Sequence, residues 1–379
     1  MVKFDLREEM QISRLLKINF KIEFLRNTNL KLLAIFFPIQ LLFIFILKRC
    51  PDLVETYYSQ SLFLYISQFQ HFLTSWIPFS IGDLFYSALV LIILGWLIKL
   101  IRRKTKSLKT MLLEAFAFVS LIYFLFHVFW GFNYYRLPLH ESLGISTEYS
   151  KADLLDYTCH LIQQTNTLHS QLVTEDSLKV DYDFTQKEVQ NLVFQAYQNT
   201  SNTDLKITYR IENLKPSLFS LPLSYAGFSG YVNPFTNEAQ YNYKIPTYKF
   251  PTTMAHEIGH QLGFSKENEA NFIASIITME DENKFLRYSG LTFALKYSLN
   301  DMYKKDPILS EVLISDLHPG VLKNYQEVQN FWETYTGPVE LIMEKVYGNY
   351  LKVNNQPQGI ESYSYVVALL VNYYQQQLH

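Results

Sequence analysis

The sequence predicts an α+β protein in which an N-terminal region of three transmembrane helices precedes a mostly helical domain with a small sheet. Three observations carry this expectation. Apolar runs at 32–47, 77–98 and 111–132 approach or exceed the roughly 17 residues needed to cross a bilayer. Between Leu214 and Tyr248, Pro216, Pro222, Gly227, Gly230 and Pro234 punctuate short β-prone runs. Elsewhere beyond residue 133 the apolar residues recur at helical spacing behind capping signals.

Composition bounds the possibilities. At 379 residues with 49% hydrophobic and 16% aromatic content, the chain is long enough for membrane segments plus one globular domain. The net charge is −2, and no basic cluster with interleaved aromatics stands outside the membrane flanks, which argues against nucleic acid as a partner. Cys50 and Cys159 do not make a disulfide framework and are expected as free thiols.

In chain order, Met1 to Lys31 mixes seven Lys/Arg with four acids and lacks a signal-peptide cleavage site, so it reads as a short cytoplasmic amphipathic arm. The spans are expected at about 30–47, 77–98 and 111–132, with Trp76 and Trp96 as interfacial anchors of the second. The stretch Lys48 to Phe79 reads as a loop. Between the second and third spans, Lys99 to Thr110 holds six Lys/Arg and no acid, against two Lys/Arg in the loop before it. Positive charge stays in the cytoplasm. Everything after about Asn133 is therefore expected outside the cytoplasm, on the periplasmic side of a bacterial inner membrane, as a domain covering 133–379 behind a membrane region covering 1–132.

Within that domain, Ser150-x-x-Asp153 opens a helix to about Val173, and Thr185-x-x-Glu188 opens another to about Gln198. His160 and His169 on the first of these are expected to be ordinary surface or core residues. Asn233 to Tyr243 is the expected edge strand, to which an extended peptide could add through main-chain hydrogen bonds. The C-terminal hundred residues read as helices broken at Asp306-Pro307, His318-Pro-Gly320 and Asn354 to Gly359.

The chemistry concentrates in PTTMAHEIGHQLGFSKENEANFIA, Pro251 to Ala274. On a helix His256 and His260 stack on one face and can reach one metal ion, while Glu257, about 100° round, faces a water beside it. That pattern is zinc-hydrolase machinery: the metal polarises a scissile carbonyl and acidifies water, and the glutamate moves the proton as general base. A catalytic zinc normally takes three protein ligands. Lys266, Glu267 and Glu269 follow at usable distance; a lysine cation has no lone pair to offer, which leaves Glu267 and Glu269 open as the third ligand. Gly263 stands where a helix C-cap glycine belongs, and a second helix is expected from near Ser265. An oxyanion-stabilising donor could come from His318, Tyr363 or Tyr365. With 28 tyrosines in the chain, none is singled out by count.

The arrangement Glu267-x-x-Ala-Asn271 resembles the Glu-x-x-x-Asp signature of the gluzincins, in which the later residue braces a ligand histidine; Asn271 departs from the usual aspartate. Gly131-Phe-Asn-Tyr-Tyr-Arg136, Gly230-Tyr-Val-Asn-Pro-Phe-Thr-Asn-Glu238, the block His256 to Asn271, and Ser362 to Leu370 together resemble an uncharacterised bacterial membrane-protein family, domain of unknown function 3810. This resemblance implies a zincin-like metallopeptidase domain with His256, His260 and Glu267 on zinc and Glu257 as base, and it implies no particular substrate. The expected activity is hydrolysis of peptide bonds in periplasmic or membrane-proximal proteins or peptides. The alternative from another class is a membrane sensor or assembly factor that keeps the zinc-binding domain without catalysis.

Overall fold

The computed structural model describes residues 28–102, 107–200, 205, 207, 209–357 and 365–378. The expected amphipathic arm falls almost wholly outside these residues, as do the middle of the basic loop and Tyr363. The protein is mostly helical with one small sheet, and it divides into two compact units, one made of residues up to Cys50 with Ser87–Val128, the other of Pro51–Tyr86 with Phe129 onward.

The first unit holds most of the three helices long and apolar enough to cross a membrane, Thr28–Leu47, Ile81–Arg102 and Leu108–Phe129. Inside it, Phe36 and Phe37 pack their rings on Phe124 and Tyr123. Gln40 Nε2 donates to Ser120 Oγ at 2.8 Å. A polar pair of this kind joins two helices where lipid offers no competing partner.

The second unit contains the sheet and all the candidate chemistry. Its N-terminal piece departs from the expectation of a loop at Lys48 to Phe79: π-helical turns over Val54–Leu62 run directly into the helix Phe63–Thr74. Residues 56–82 contain no Asp, Glu, Lys or Arg, so the stretch lacks the polar face that would have marked an amphipathic helix. One side is built into the domain. Phe63 is fully buried, Ser59 Oγ donates to Asn133 Oδ1 at 2.8 Å, Gln70 Nε2 donates to the Phe235 carbonyl at 3.0 Å, and Arg136 grips Glu55 through two nitrogens at 2.6 and 2.8 Å. On the other side Tyr65, Phe69, Phe72 and Trp76 lie exposed at helical spacing.

The two capping boxes form as the sequence requires. Ser150 and Asp153 exchange side-chain and backbone bonds at the start of Lys151–Leu172, and Thr185 and Glu188 do so before Gln186–Asn199. Asp306 caps the helix Pro307–Ser315 by accepting from Leu309 N at 3.0 Å, and Pro319 opens Pro319–Glu333.

The sheet has the order β1-β3-β2, with β1 Leu214–Pro216 parallel to β3 Glu238–Tyr241 and β2 Gly230–Asn233 antiparallel to it. This corrects the expected edge strand, Asn233 to Tyr243. That stretch supplies the central strand β3, every residue of which is buried, and the edge positions belong to β1 and β2. The chain reverses at Asn233, whose Oδ1 accepts from Phe235 N and Thr236 N at 2.9 and 3.2 Å, with Asn237 at φ 48° closing the turn.

Against the sheet packs the helix Phe250–Gln261, which carries the His-Glu-x-x-His motif and is buried along nearly its whole length. Pro251 occupies its first turn, where a missing N–H costs nothing. Gly259 lets the next helix, Glu267–Met279, cross close by: a Cβ there would lie 3.6 Å from Ala270 Cα. Lys284–Lys305 packs against both, and the buried apolar side chains of these elements form one continuous core.

Candidate metal centre

The motif helix ends as its sequence demands. Gly263 adopts φ +88°, a conformation that only glycine enters without strain, and Phe264 N returns to the Gly259 carbonyl at 3.1 Å. This turn carries the chain back so that Glu267, in the first turn of Glu267–Met279, faces the two histidines.

The three donors converge. Glu267 Oε2 lies 3.2 Å from His256 Nε2 and 3.4 Å from His260 Nε2, and the ligand atoms of the three residues all fall within 4.8 Å of one another. Four donors held tetrahedrally at about 2.05 Å from a zinc ion would stand about 3.3 Å apart. His260 Nδ1 is bonded to the Phe264 carbonyl at 2.7 Å; a proton belongs on that nitrogen, so Nε2, turned to the centre, is the one that can give up its proton to a metal ion. Asn271 hydrogen-bonds His256, the bracing role its position in the sequence suggested, and its own amide donates to Tyr297 OH at 3.4 Å.

Glu257 stands apart from the ligand set. Its side chain is buried, and Oε2 has no hydrogen-bond partner among the described residues. The carboxylate lies against Gly230 on the edge strand: a Cβ added there would come within 2.6 Å of both Glu257 Oε1 and the Gln240 carbonyl. Burial, with a smaller push from Glu267 and against a pull from His260, raises the Glu257 carboxyl to about 8. For Glu267 the balance reverses. Burial works to raise its carboxyl, but the charge on His260 and hydrogen bonds from both imidazoles outweigh burial and hold it well below the carboxylate range. Burial likewise opposes a proton on His260, yet the carboxylates of Glu267 and Glu257 win and raise it. On His256 burial prevails, helped by His260, and its proton is the more easily lost.

Glu269, the alternative ligand, turns elsewhere: its Oε1 accepts from Leu139 N at 3.0 Å and from Lys266 Nζ at 3.2 Å. His318 lies outside the centre, beside His169 and Asp176. Tyr365 exposes its side chain, and Tyr363 lies outside the described residues.

Residues far away in sequence complete the surroundings. Tyr347, on the helix Pro338–Val353, donates its hydroxyl to Glu267 Oε1 at 2.5 Å, and Gln356 Oε1 accepts from Glu267 N at 3.2 Å. Trp130 Nε1 donates to the His260 carbonyl at 2.9 Å. No local pattern marks Tyr347 among 28 tyrosines. Gly230 and Trp130 had a partial signal, since the first opens and the second directly precedes a stretch that carries the family resemblance.

The donor set could hold a metal ion: two imidazole nitrogens and one carboxylate, with a buried acid beside them whose Oε2 has no hydrogen-bond partner among the described residues. Neither the curated proteins nor the solved structures contain a significant match to this chain. A family model does match, over residues 58–371, and it takes in the aromatic helix after the first span, the sheet and the His-Glu-x-x-His centre. The chain belongs to the family described as protein of unknown function DUF3810.

Proposed function

We propose that this protein is a membrane-anchored, zinc-dependent metallopeptidase with a zincin-like domain of gluzincin type. The observation that carries the reading is the convergence of His256 Nε2, His260 Nε2 and the Glu267 carboxylate beside a buried Glu257. His256, His260 and Glu267 would hold the ion. Zinc there would supply Lewis-acid polarisation of a scissile carbonyl and acidify water. Tyr347 fixes the rotamer of Glu267 through its 2.5 Å hydrogen bond, and the Phe264 carbonyl fixes that of His260.

Glu257 is the general base. Glu257 would be held in its ionised form, below the level that burial alone sets, by the charge of an ion bound to His256, His260 and Glu267. It then takes a proton from the attacking water at its carboxylate and returns it to the departing amine. Among the described residues β2 has a strand partner on one side only, so a substrate laid along its other edge in extended form runs past Gly230, where the missing side chain leaves Glu257 room. A pure binding scaffold has no use for an unpartnered buried acid at that point, which counts against the reading as a non-catalytic sensor or assembly factor.

His260→Ala should abolish metal binding at this centre. Full-length protein purified in detergent and assayed by inductively coupled plasma mass spectrometry should lose the ion held at His256, His260 and Glu267, with far-ultraviolet circular dichroism unchanged. Retention of that ion would remove the centre as drawn.

The same proposal places the domain on the periplasmic face of a bacterial inner membrane. The positive charge of Lys99 to Thr110 supports this orientation. The outward aromatic row Tyr65, Phe69, Phe72 and Trp76 has the composition of residues that settle among lipid headgroups. Substrates are then periplasmic or membrane-proximal polypeptides. In a variant without Cys50 and Cys159, a membrane-impermeant maleimide added to spheroplasts should label Ser177→Cys and spare Ser107→Cys, both positions being exposed. Labelling with the opposite pattern would put the centre in the cytoplasm.

A further inference from the structure

Away from the motif helix, three side chains from separate segments meet in a second cluster. His169 lies near the end of Lys151–Leu172, Asp176 in the turn that follows, and His318 immediately before Pro319–Glu333. Their ligand atoms also fall within 4.8 Å of one another. His169 Nδ1 faces His318 Nδ1 at 3.2 Å, and Asp176 Oδ1 stands 3.4 Å from the same His318 nitrogen. The two rings meet at 70° with centroids 5.3 Å apart, much as His256 and His260 meet at 86° and 4.6 Å.

Each donor is held from behind. His169 is fully buried, and its Nε2 sits 2.9 Å from the Leu178 carbonyl. A carbonyl only accepts, so that nitrogen carries the proton and Nδ1 presents a lone pair. Gly320 N donates to the Asp176 carbonyl at 2.9 Å, Ser170 Oγ donates to Asp176 Oδ1 at 3.0 Å, and His318 N donates to Asn166 Oδ1 at 3.0 Å. Gly320 permits this closeness, since a Cβ there would lie 2.5 Å from His169 Nε2.

Hydrogen bonding alone serves the cluster poorly. A single proton on His318 Nδ1 would have to be shared between the lone pair of His169 and the carboxylate of Asp176, at separations on the long side for such bonds. The same separations, 3.2 and 3.4 Å, recur at the first centre and match the spacing of donors around a tetrahedral ion, about 3.3 Å. We propose that His169, Asp176 and His318 form a second divalent-metal site, of the zinc class, that staples the His169 helix to the start of the His318 helix. Asp176 and His318 reach solvent, which leaves the fourth position to water. The role is structural, because no unpaired buried acid of the Glu257 kind stands beside it among the described residues.

The test is metal content and zinc-dependent melting of the full-length protein in detergent, dialysed against zinc and then against zinc-free buffer. Wild type should carry two ions per chain, His260→Ala one, and His318→Ala one. Zinc should raise the melting temperature of His260→Ala and fail to raise that of a His260→Ala/His318→Ala double variant. Asp176→Ala, at an exposed position where folding is not at stake, should weaken retention of the second ion at least tenfold. Equal ion content in wild type, His318→Ala and Asp176→Ala would overturn the proposal. Loss of the ion held by His256 leaves this site in place, so the two centres fail separately.

Discussion

Glu257→Gln should leave the metal content of the protein unchanged and lower peptide hydrolysis by about 10³-fold, the scale on which a positioned general base contributes. The amide keeps the shape of the carboxylate and cannot take a proton. Glu257 is not among the converging ligand atoms, so binding of the ion survives the change. Folding survives as well. The carboxyl is buried without a partner for Oε2 among the described residues and is raised to about 8 by that burial, so it is mostly neutral at pH 7 in the metal-free protein and a neutral amide of the same shape takes its place at little cost. The measurement is turnover of a quenched-fluorescent peptide mixture by purified wild type and variant, with metal content determined on the same samples. Equal turnover by the two would end the peptidase proposal, whatever the metal content.

The residues of this centre were readable because their chemistry is local. The spacing of His256 and His260, the glycine at 263 and the acid at 267 all lie within one helix, one turn and the first residues of the next helix, and the physics of each step is set by neighbours in sequence. The same holds for Ser150 with Asp153 and for Thr185 with Glu188. What was not readable depends on pairing at long range. Tyr347 reaches Glu267 across eighty residues, and Trp130 reaches the His260 carbonyl across 130. The helix Phe63–Thr74 was read as part of a loop: its sequence has no charged face, since polar Gln70, His71 and Thr74 turn into the domain and Tyr65, Phe69 and Phe72 are exposed. The strand at 238–241 was read as an edge because its neighbour at 230–233 is only four residues long and carries little pattern of its own. Register and order in a sheet are tertiary facts, and four-residue strands carry too little pattern to state them. His318 was read as a possible oxyanion donor; the residues it meets, His169 and Asp176, are some 140 to 150 residues away in sequence, beyond any spacing rule.

Lys215→Met should destabilise the protein by about 3–5 kcal/mol, the cost of leaving a buried charge without its partner. Lys215 Nζ meets Glu238 Oε1 at 2.5 Å with side-chain exposures of 6% and 0%, so neither charge can turn to water if the other is removed. Glu238 does more than pair. Its two oxygens accept from Ile81 N at 3.1 Å and Gly82 N at 2.5 Å, and Thr236 adds a hydroxyl at 2.9 Å. An anion at this point also meets the positive end of the dipole of the 22-residue helix Ile81–Arg102. The pair therefore joins β1 and β3 to the start of an apolar membrane-length helix, while Asn233 on the edge strand donates to the Gly82 carbonyl at 3.0 Å beside it. Methionine fills the space of the lysine stem but supplies no charge, and the carboxylate keeps its backbone donors while losing its counter-ion. Glu238→Gln in the Lys215→Met background should recover part of the loss, since the amide removes the stranded charge. Lys187→Met, which breaks the exposed pair with Glu212, should cost less than about 1 kcal/mol. Urea unfolding of the full-length variants in one detergent, followed by tryptophan fluorescence, distinguishes the cases: a Lys215→Met midpoint no lower than that of Lys187→Met would show that the buried pair does not hold this junction together.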